Sequence, residues 1–138
     1  MKSYLNKSLV YAILAMIGGV FYREFTKFNH FTDKTMLSVV HTHYFLLGME
    51  FFLILLLLEK SFSFTSTKTK RTLVLYQLGL NLTSIMMLVR GVTQVTAAPL
   101  TTAIHTAISG IAGIGHILLG VGIVLLLLQI KAKIYDLS

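Results

Sequence analysis

The chain has 138 residues, of which 55% are hydrophobic and only 12% are charged. A soluble domain carries about twice that charged fraction, so the composition excludes an ordinary soluble domain and indicates an integral membrane protein. The net charge of +7 does not indicate nucleic acid as a partner, because the basic residues stand at the ends of apolar segments, where they anchor helices in a bilayer.

Four apolar segments follow in chain order, each near the roughly 20 residues that a helix needs to cross the hydrocarbon core. They cover about residues 8–28, 36–58, 72–95 and 101–130. Because irregular backbone cannot face lipid, they predict an all-α fold, a four-helix transmembrane bundle. We expect residues 1–138 to form a single integral membrane domain. The first segment is predicted to be a retained span, since no signal-peptide cleavage site stands out after it.

Lysine and arginine divide unevenly between the two ends of the predicted helices. Eight fall on one side: Lys2, Lys7, Lys60, Lys68, Lys70, Arg71, Lys131 and Lys133. Four fall on or towards the other: Arg23, Lys27, Lys34 and Arg90. The positive-inside rule therefore predicts that both termini are cytoplasmic, in a multi-pass protein of the bacterial cytoplasmic membrane.

Two histidines are predicted to lie at the same depth. Glu59 and Lys131 mark the cytoplasmic ends of the second and fourth helices. The number of residues from His43 to Glu59 exceeds the number from His116 to Lys131 by one. At about 1.5 Å per residue, the two imidazoles differ in depth by about 1.5 Å. His105 lies about 39 Å from Lys131 at the same rise, which places it near the outer surface, and it is a runner-up only.

Helical phase favours His43 over His41. His43 and Glu50 are seven residues apart and are expected to share a face, whereas His41 lies about 200° away from His43. An acid inside the membrane should face protein or water, so Glu50 is predicted to mark the interior face. His43 is therefore the predicted inward residue, with His41 as the runner-up.

The fourth helix carries a stripe of small residues around His116. Ser109, Gly113, His116 and Gly120 follow a 4-3-4 spacing. One interpretation is close helix–helix packing. The other is a bare face, including Gly113, that leaves room for a planar cofactor. Two imidazoles at one depth on different helices are the arrangement that holds haem iron from both sides, so the pattern predicts a haem bound by His43 and His116.

Polar residues near this depth are candidates for supporting roles. Arg90 and Arg23 are predicted partners for haem propionates, because a guanidinium recognises a carboxylate in a forked geometry. The alternatives are that both reach lipid headgroups, or that Arg23 pairs with Glu24. Glu50 and Asn81 lie at comparable heights and are expected either to hydrogen-bond each other or to begin a proton path.

The stretches "HTHYFLLGMEFFLILLLLEK", "NLTSIMMLVRGV" and "AISGIAGIGHILLG" carry a resemblance that extends over most of the chain. The sequence resembles a family of small four-helix membrane proteins of unknown function from Gram-positive bacteria. More distantly, it is similar to the haem-ligating helices of subunit I of haem-copper oxidases and nitric-oxide reductases. That resemblance implies b-type haem binding without oxygen reduction, with His43 and His116 as axial ligands.

Three functional hypotheses stay open at this point. The first is a membrane haem b protein for electron transfer, haem handling or sensing. The second is a non-haem accessory or structural protein of a larger respiratory or transport complex, and the third is a small proton or ion pathway using Glu50 and His116. No hydrolase motif is present, and we expect no independent catalytic activity. The small-residue faces would suit a homodimer or a respiratory-complex partner as well as an internal seam.

Overall fold

The fold is seen in a computed structural model, which describes residues 1–136. In chain order its elements are α1 (Lys2–Phe28), α2 (Leu37–His43), a π-helical segment (Tyr44–Glu50), α3 (Phe51–Phe62), α4 (Thr67–Val95) and α5 (Thr102–Tyr135). The backbone stays helical where α2, the π segment and α3 join, so we call these three together the π-interrupted helix. The described residues therefore form four helices and no strand, which confirms the all-α prediction.

Three helices, α1, α4 and α5, are long and apolar enough to cross a membrane. Each extends by several residues beyond its predicted segment: α1 begins at Lys2, α4 begins at Thr67, and α5 ends at Tyr135. The added turns are polar, and they stay helical because helical hydrogen bonds are local and do not require an apolar sequence. Ser66 sets the start of α4, since its side chain accepts a hydrogen bond from the backbone N–H of Thr69.

The more basic ends of the helices meet at one end of the bundle. The hydroxyl oxygens of Tyr4 and Thr65 are 2.7 Å apart, which joins the start of α1 to the turn before α4. Gln129 Nε2 donates to Thr72 Oγ1 at 2.9 Å, which joins the last turns of α5 to the first turns of α4. The eight basic residues on the side predicted to be cytoplasmic therefore share one end of the molecule.

Glycines bring α4 and α5 into close contact. A Cβ atom on Gly79 would lie 2.4 Å from the backbone nitrogen of Leu119, and one on Gly115 would lie 2.6 Å from Thr83 Oγ1. A Cβ atom on Gly122 would lie 2.9 Å from a backbone atom of Tyr76. No side chain fits at these distances, so the three glycines allow the two backbones to approach. This pairing determines where α5 places His116.

Aromatic rings connect α1, the π-interrupted helix and α4. Phe52 is fully buried and stacks on Tyr11, with ring centres 5.7 Å apart and planes 8° from parallel. Its ring also meets that of Tyr76 edge to face at 6.1 Å. Offset and edge-to-face contacts are favourable for aromatic rings, and here they hold three helices around one side chain.

Candidate functional site

His43 and His116 are neighbours in the folded chain. His43 is the last residue of α2, and His116 lies near the middle of α5. Their ring centres are 6.3 Å apart and their planes make an angle of 88°. The two imidazoles that the depth comparison pairs are therefore brought together from different helices that are far apart in the sequence.

Each of these imidazoles is anchored by a backbone carbonyl one turn earlier. His43 Nδ1 is 2.9 Å from the carbonyl oxygen of Val39, and His116 Nδ1 is 2.9 Å from that of Ala112. A carbonyl oxygen only accepts hydrogen bonds, so Nδ1 carries the proton in both rings. In the neutral ring Nε2 then keeps its lone pair, and this is the nitrogen that can bind a metal.

The π segment begins directly after His43 and is held by side chains from two other helices. The Tyr76 hydroxyl donates to the carbonyl oxygen of Leu47, and Ser8 Oγ donates to that of Met49 at 2.9 Å. Gly48 lets the Tyr11 ring approach, because a Cβ atom there would lie 2.6 Å from it. The two hydroxyl groups thus bond to backbone carbonyls of the segment, and the Tyr11 ring fills the space beside Gly48. Both contacts compete with the regular backbone arrangement of an α-helix. Single π turns occur frequently at functional sites.

This segment overturns the prediction that His43 and Glu50 share a face. Hydrogen bonds in a π-helix reach one residue further than in an α-helix, so each residue turns the chain by a smaller angle. Seven residues no longer return to the same face. Glu50 is exposed, while His43 is half-buried. The prediction that Glu50 marks the interior was therefore wrong, and His43 is instead located by its half-burial and its contact with His116.

His41 lies against α1. A Cβ atom on Gly19 would be 3.8 Å from both Cβ and Cγ of His41, and one on Gly18 would be 3.8 Å from the His41 backbone nitrogen. Nδ1 of His41 is buried and has no hydrogen-bond partner among residues 1–136. The structure therefore places the two predicted candidates of this helix differently, with His41 packed on α1 and His43 beside α5.

A cavity of about 290 Å³ adjoins His116 between the start of the π-interrupted helix, α4 and α5. It is lined by Met36, Met86, Met87, Arg90, Ile108, Ser109, Ala112, Gly113 and His116. The guanidinium of Arg90 donates to the Ser109 hydroxyl across the α4–α5 contact. A fixed positive charge and an imidazole with an available nitrogen thus face one cavity.

The glycines of the small-residue stripe of α5 lie on the surface, whereas its Ser109 and His116 contact Arg90 and His43. Ser109, Gly113, His116 and Gly120 are all exposed. Among residues 1–136, no other atom would lie within 4 Å of a Cβ atom on Gly113 or on Gly120. Gly113 and Gly120 therefore form no internal seam, because other glycines of α5 make the contact with α4. The cofactor interpretation of this face and its use in a homodimer both stay predictions.

The remaining predicted ligands lie apart from this pair. Arg23 is 3.7 Å from the carboxylate of Glu24, and its side chain is 81% exposed. His105 lines a separate cavity of about 180 Å³, which it shares with Arg90. Arg90, and not Arg23, is thus the arginine beside His116. Within residues 1–136, no group of three or more His, Asp or Glu side chains could hold a metal ion.

Asn81 bonds to tyrosines and not to Glu50. Its Nδ2 donates to the Tyr11 hydroxyl at 3.1 Å and to the carbonyl oxygen of Gln77 at 2.8 Å. The Tyr44 hydroxyl donates to Asn81 Oδ1 at 3.4 Å. Sequence reasoning missed Tyr11 and Tyr44, although a tyrosine within an apolar segment is itself a signal, since its buried hydroxyl needs a partner. Tyr44 follows His43 directly, so this network supports the same part of the helix.

Comparison with known proteins gives one match. The family described as "Protein of unknown function (DUF2871)" matches residues 1–133. Neither the curated proteins nor the solved structures contain a significant match to the chain.

Proposed function

Because the chain belongs to DUF2871, a family of unknown function, we propose a function from its site alone. The protein is a membrane haem b-binding protein in which His43 and His116 ligate one haem iron from opposite sides. Electron transfer, haem handling and sensing are the roles that such a site serves. The observation that carries the proposal is the spacing of the two imidazole rings.

That spacing suits one metal between the rings. An imidazole nitrogen binds a metal at about 2.0–2.1 Å, and the ring centre lies about 1.1 Å behind that nitrogen, so two rings facing one ion are about 6.2–6.4 Å apart. The centres of His43 and His116 are 6.3 Å apart. With Nδ1 engaged by the backbone carbonyl, the neutral form of each ring presents Nε2 as the ligating nitrogen.

The number of protein ligands, two histidines, also fits haem. Haem iron takes two axial ligands from a protein, because the porphyrin supplies the rest, whereas a structural zinc site takes four protein ligands. When bound, a b-type haem supplies one-electron chemistry at its iron. The chain itself supplies the two oriented imidazoles, the bare face at Gly113 and the cation of Arg90. Arg90 is suited to a propionate because its guanidinium can form two parallel hydrogen bonds with a carboxylate.

The orientation of the site follows from the distribution of charge. With the basic end of the bundle in the cytoplasm, His43 lies about 24 Å from Glu59 and His116 about 22 Å from Lys131 along the helix axes, and these two charged residues mark the inner edge of the apolar segments. The hydrocarbon core is about 30 Å thick, so the pair lies in its outer half. We place the protein in the cytoplasmic membrane of a Gram-positive bacterium, with both termini inside. The distant likeness to the haem-ligating helices of haem-copper oxidases is part of this proposal.

The visible absorption spectrum of the protein purified from haem-replete cells tests the proposal. Bis-imidazole ligation predicts the sharp bands of a six-coordinate, low-spin b-type haem after reduction. Colourless protein that also takes up no added haemin would contradict it. That outcome would favour the accessory or ion-pathway functions, in which the histidines are hydrogen-bonding groups.

A further inference from the structure

A groove lined by polar and apolar side chains runs between α1 and α4 at the basic end of the bundle, and it shares no described lining residue with the cavity beside His116. Two adjoining cavities of about 480 and 460 Å³ form it. Ser3 and Lys7 of α1 line both cavities, and the facing wall of α4 carries Lys70, Val74 and Gln77. We call this feature the α1–α4 groove.

The charge of Lys7 has no anionic partner in the described part of the chain. Its side chain is half-buried, and Nζ lies 5.4 Å from the centre of the Phe52 ring. No carboxylate within residues 1–136 forms an ion pair with it. Glu59 lines the second cavity, but its carboxylate accepts a hydrogen bond from the Thr65 backbone at 2.9 Å. With Lys7 and Lys70 against the one carboxylate of Glu59, the groove carries a net positive charge and therefore favours an anion.

An apolar path leads away from the groove along the same face of α1. Ser3, Lys7, Val10, Leu14, Ile17 and Phe21 follow a 4-3-4-3-4 spacing and therefore line one face. The four apolar members are all exposed, and Ile17 and Phe21 line a further shallow cavity of about 380 Å³. Ile17 lies about 15 Å beyond Lys7 along the helix axis. That length equals about half of the roughly 30 Å hydrocarbon core, which is the depth of one lipid leaflet.

We infer that the α1–α4 groove binds an anionic phospholipid. Its phosphate lies between the ammonium groups of Lys7 and Lys70, and its acyl chains follow the apolar face of α1. A free phosphate ion would use only the cationic end, whereas a phospholipid also covers the exposed face from Val10 to Phe21. Basic pockets between membrane helices are known to take acidic lipid headgroups. This inference is independent of haem binding.

The test is a lipid titration of the full-length protein in a neutral detergent. Phosphatidylglycerol and phosphatidylcholine with identical acyl chains are added in parallel, and bound lipid is counted by native mass spectrometry. We expect phosphatidylglycerol to bind more tightly than phosphatidylcholine. Lys7→Gln should weaken phosphatidylglycerol binding about fivefold, because each lysine near a lipid surface contributes about 1 kcal/mol. Lys70→Gln, on the opposite wall, should also weaken phosphatidylglycerol binding. It replaces Lys7→Gln in the test if that variant proves difficult to purify.

Lys2→Gln is the matched control, since Lys2 is an exposed lysine at the same end of α1 that lines neither cavity. It should leave binding unchanged. Equal binding of the two lipids, or equal losses in Lys7→Gln and Lys2→Gln, would overturn the inference. Inorganic phosphate should not displace the lipid. If it competes at comparable concentration, the groove is an anion site and the phospholipid assignment is wrong.

Discussion

His43 and His116 each donate Nδ1–H to the carbonyl oxygen four residues earlier in their own helices, and their ring centres lie 6.3 Å apart. Both rings are thus oriented by the backbone without help from a ligand. Both helices pack on α4, which sets the distance between them. A binding site whose groups are already oriented loses less conformational freedom when its ligand arrives.

Replacing either histidine should remove one axial ligand. His43→Ala and His116→Ala are each expected to convert six-coordinate low-spin iron to five-coordinate high-spin iron, or to abolish haem retention. Haem content and the visible spectrum of each purified variant measure this. His105→Ala is the control, because His105 lines a different cavity, and it should keep the wild-type spectrum. Loss of haem in His105→Ala with retention in His43→Ala would mean that the pair has been assigned incorrectly.

Arg90 should affect both haem affinity and redox potential. Arg90→Leu removes a charged hydrogen-bond partner of a propionate, which corresponds to about 1.5–3 kcal/mol of binding free energy. The midpoint potential should fall, because a nearby cation favours the less positive ferrous state. Arg90→Lys keeps the charge but loses the forked geometry, so it should restore the potential more fully than the affinity. Redox titration of the variants at one pH measures the midpoint potentials. Equal midpoint potentials in wild type and Arg90→Leu would show that Arg90 does not interact with the haem.

The close contact of α4 and α5 should depend on Gly79. Gly79→Ala places a Cβ atom 2.4 Å from the Leu119 backbone, and such overpacking destabilises a fold by about 1–3 kcal/mol. Gly120→Ala is the matched control on the open face of α5, where a Cβ atom would meet nothing within 4 Å in the described part of the chain. There alanine should be neutral or slightly stabilising, since it is the better helix former. Denaturation in mixed micelles measures both, and equal losses of stability would show that the two glycines do not differ in packing.

The π segment should depend on the Tyr76 hydroxyl. Tyr76→Phe keeps the stacked ring but removes the donor to the partly buried Leu47 carbonyl, and one such hydrogen bond contributes about 0.5–1.5 kcal/mol. Tyr22→Phe provides the control, because its hydroxyl has no hydrogen-bond partner within residues 1–136. The unfolding free energies of the two variants are to be compared. If Tyr22→Phe destabilises as much as Tyr76→Phe, the hydrogen bond to Leu47 contributes nothing specific.

Topology can be read from single cysteines, because the natural chain has none. Thr67→Cys lies at the start of α4 on the basic end, and Thr32→Cys lies in the connection after α1; both positions are exposed. A membrane-impermeant maleimide should label Thr32→Cys in intact cells and Thr67→Cys only after permeabilisation. The reverse pattern would show that the protein is inserted the other way round.

The helices and the histidine pair follow from local properties of the sequence. Segment length predicts four helices because the hydrocarbon core has a fixed thickness. The constant rise per residue of an α-helix makes depth a matter of counting, which is why His43 and His116 could be paired without a structure. Counting residues in the same way places His105 at a different depth from His43 and His116.

The features that could not be predicted depend on distant partners. Ser8 and Tyr76, which hold the π segment, lie 41 and 29 residues from the carbonyls that they bond. A local pattern therefore assumes a regular α-helix and places Glu50 on the wrong face. Spacing alone also does not predict which glycines of α5 pack on α4. Gly115 and Gly122 are seven residues apart and pack on α4, whereas Gly113 and Gly120 have the same spacing and are exposed. Only the position of α4 distinguishes the two pairs.

Electron paramagnetic resonance of the ferric, haem-loaded protein at low temperature examines the ligation of the iron itself. Two imidazole nitrogens on one iron predict a low-spin signal from six-coordinate haem, at one haem per chain, in the wild-type protein. A high-spin signal from the wild-type protein, or no haem uptake at any ratio of haemin to protein, would contradict ligation by His43 and His116.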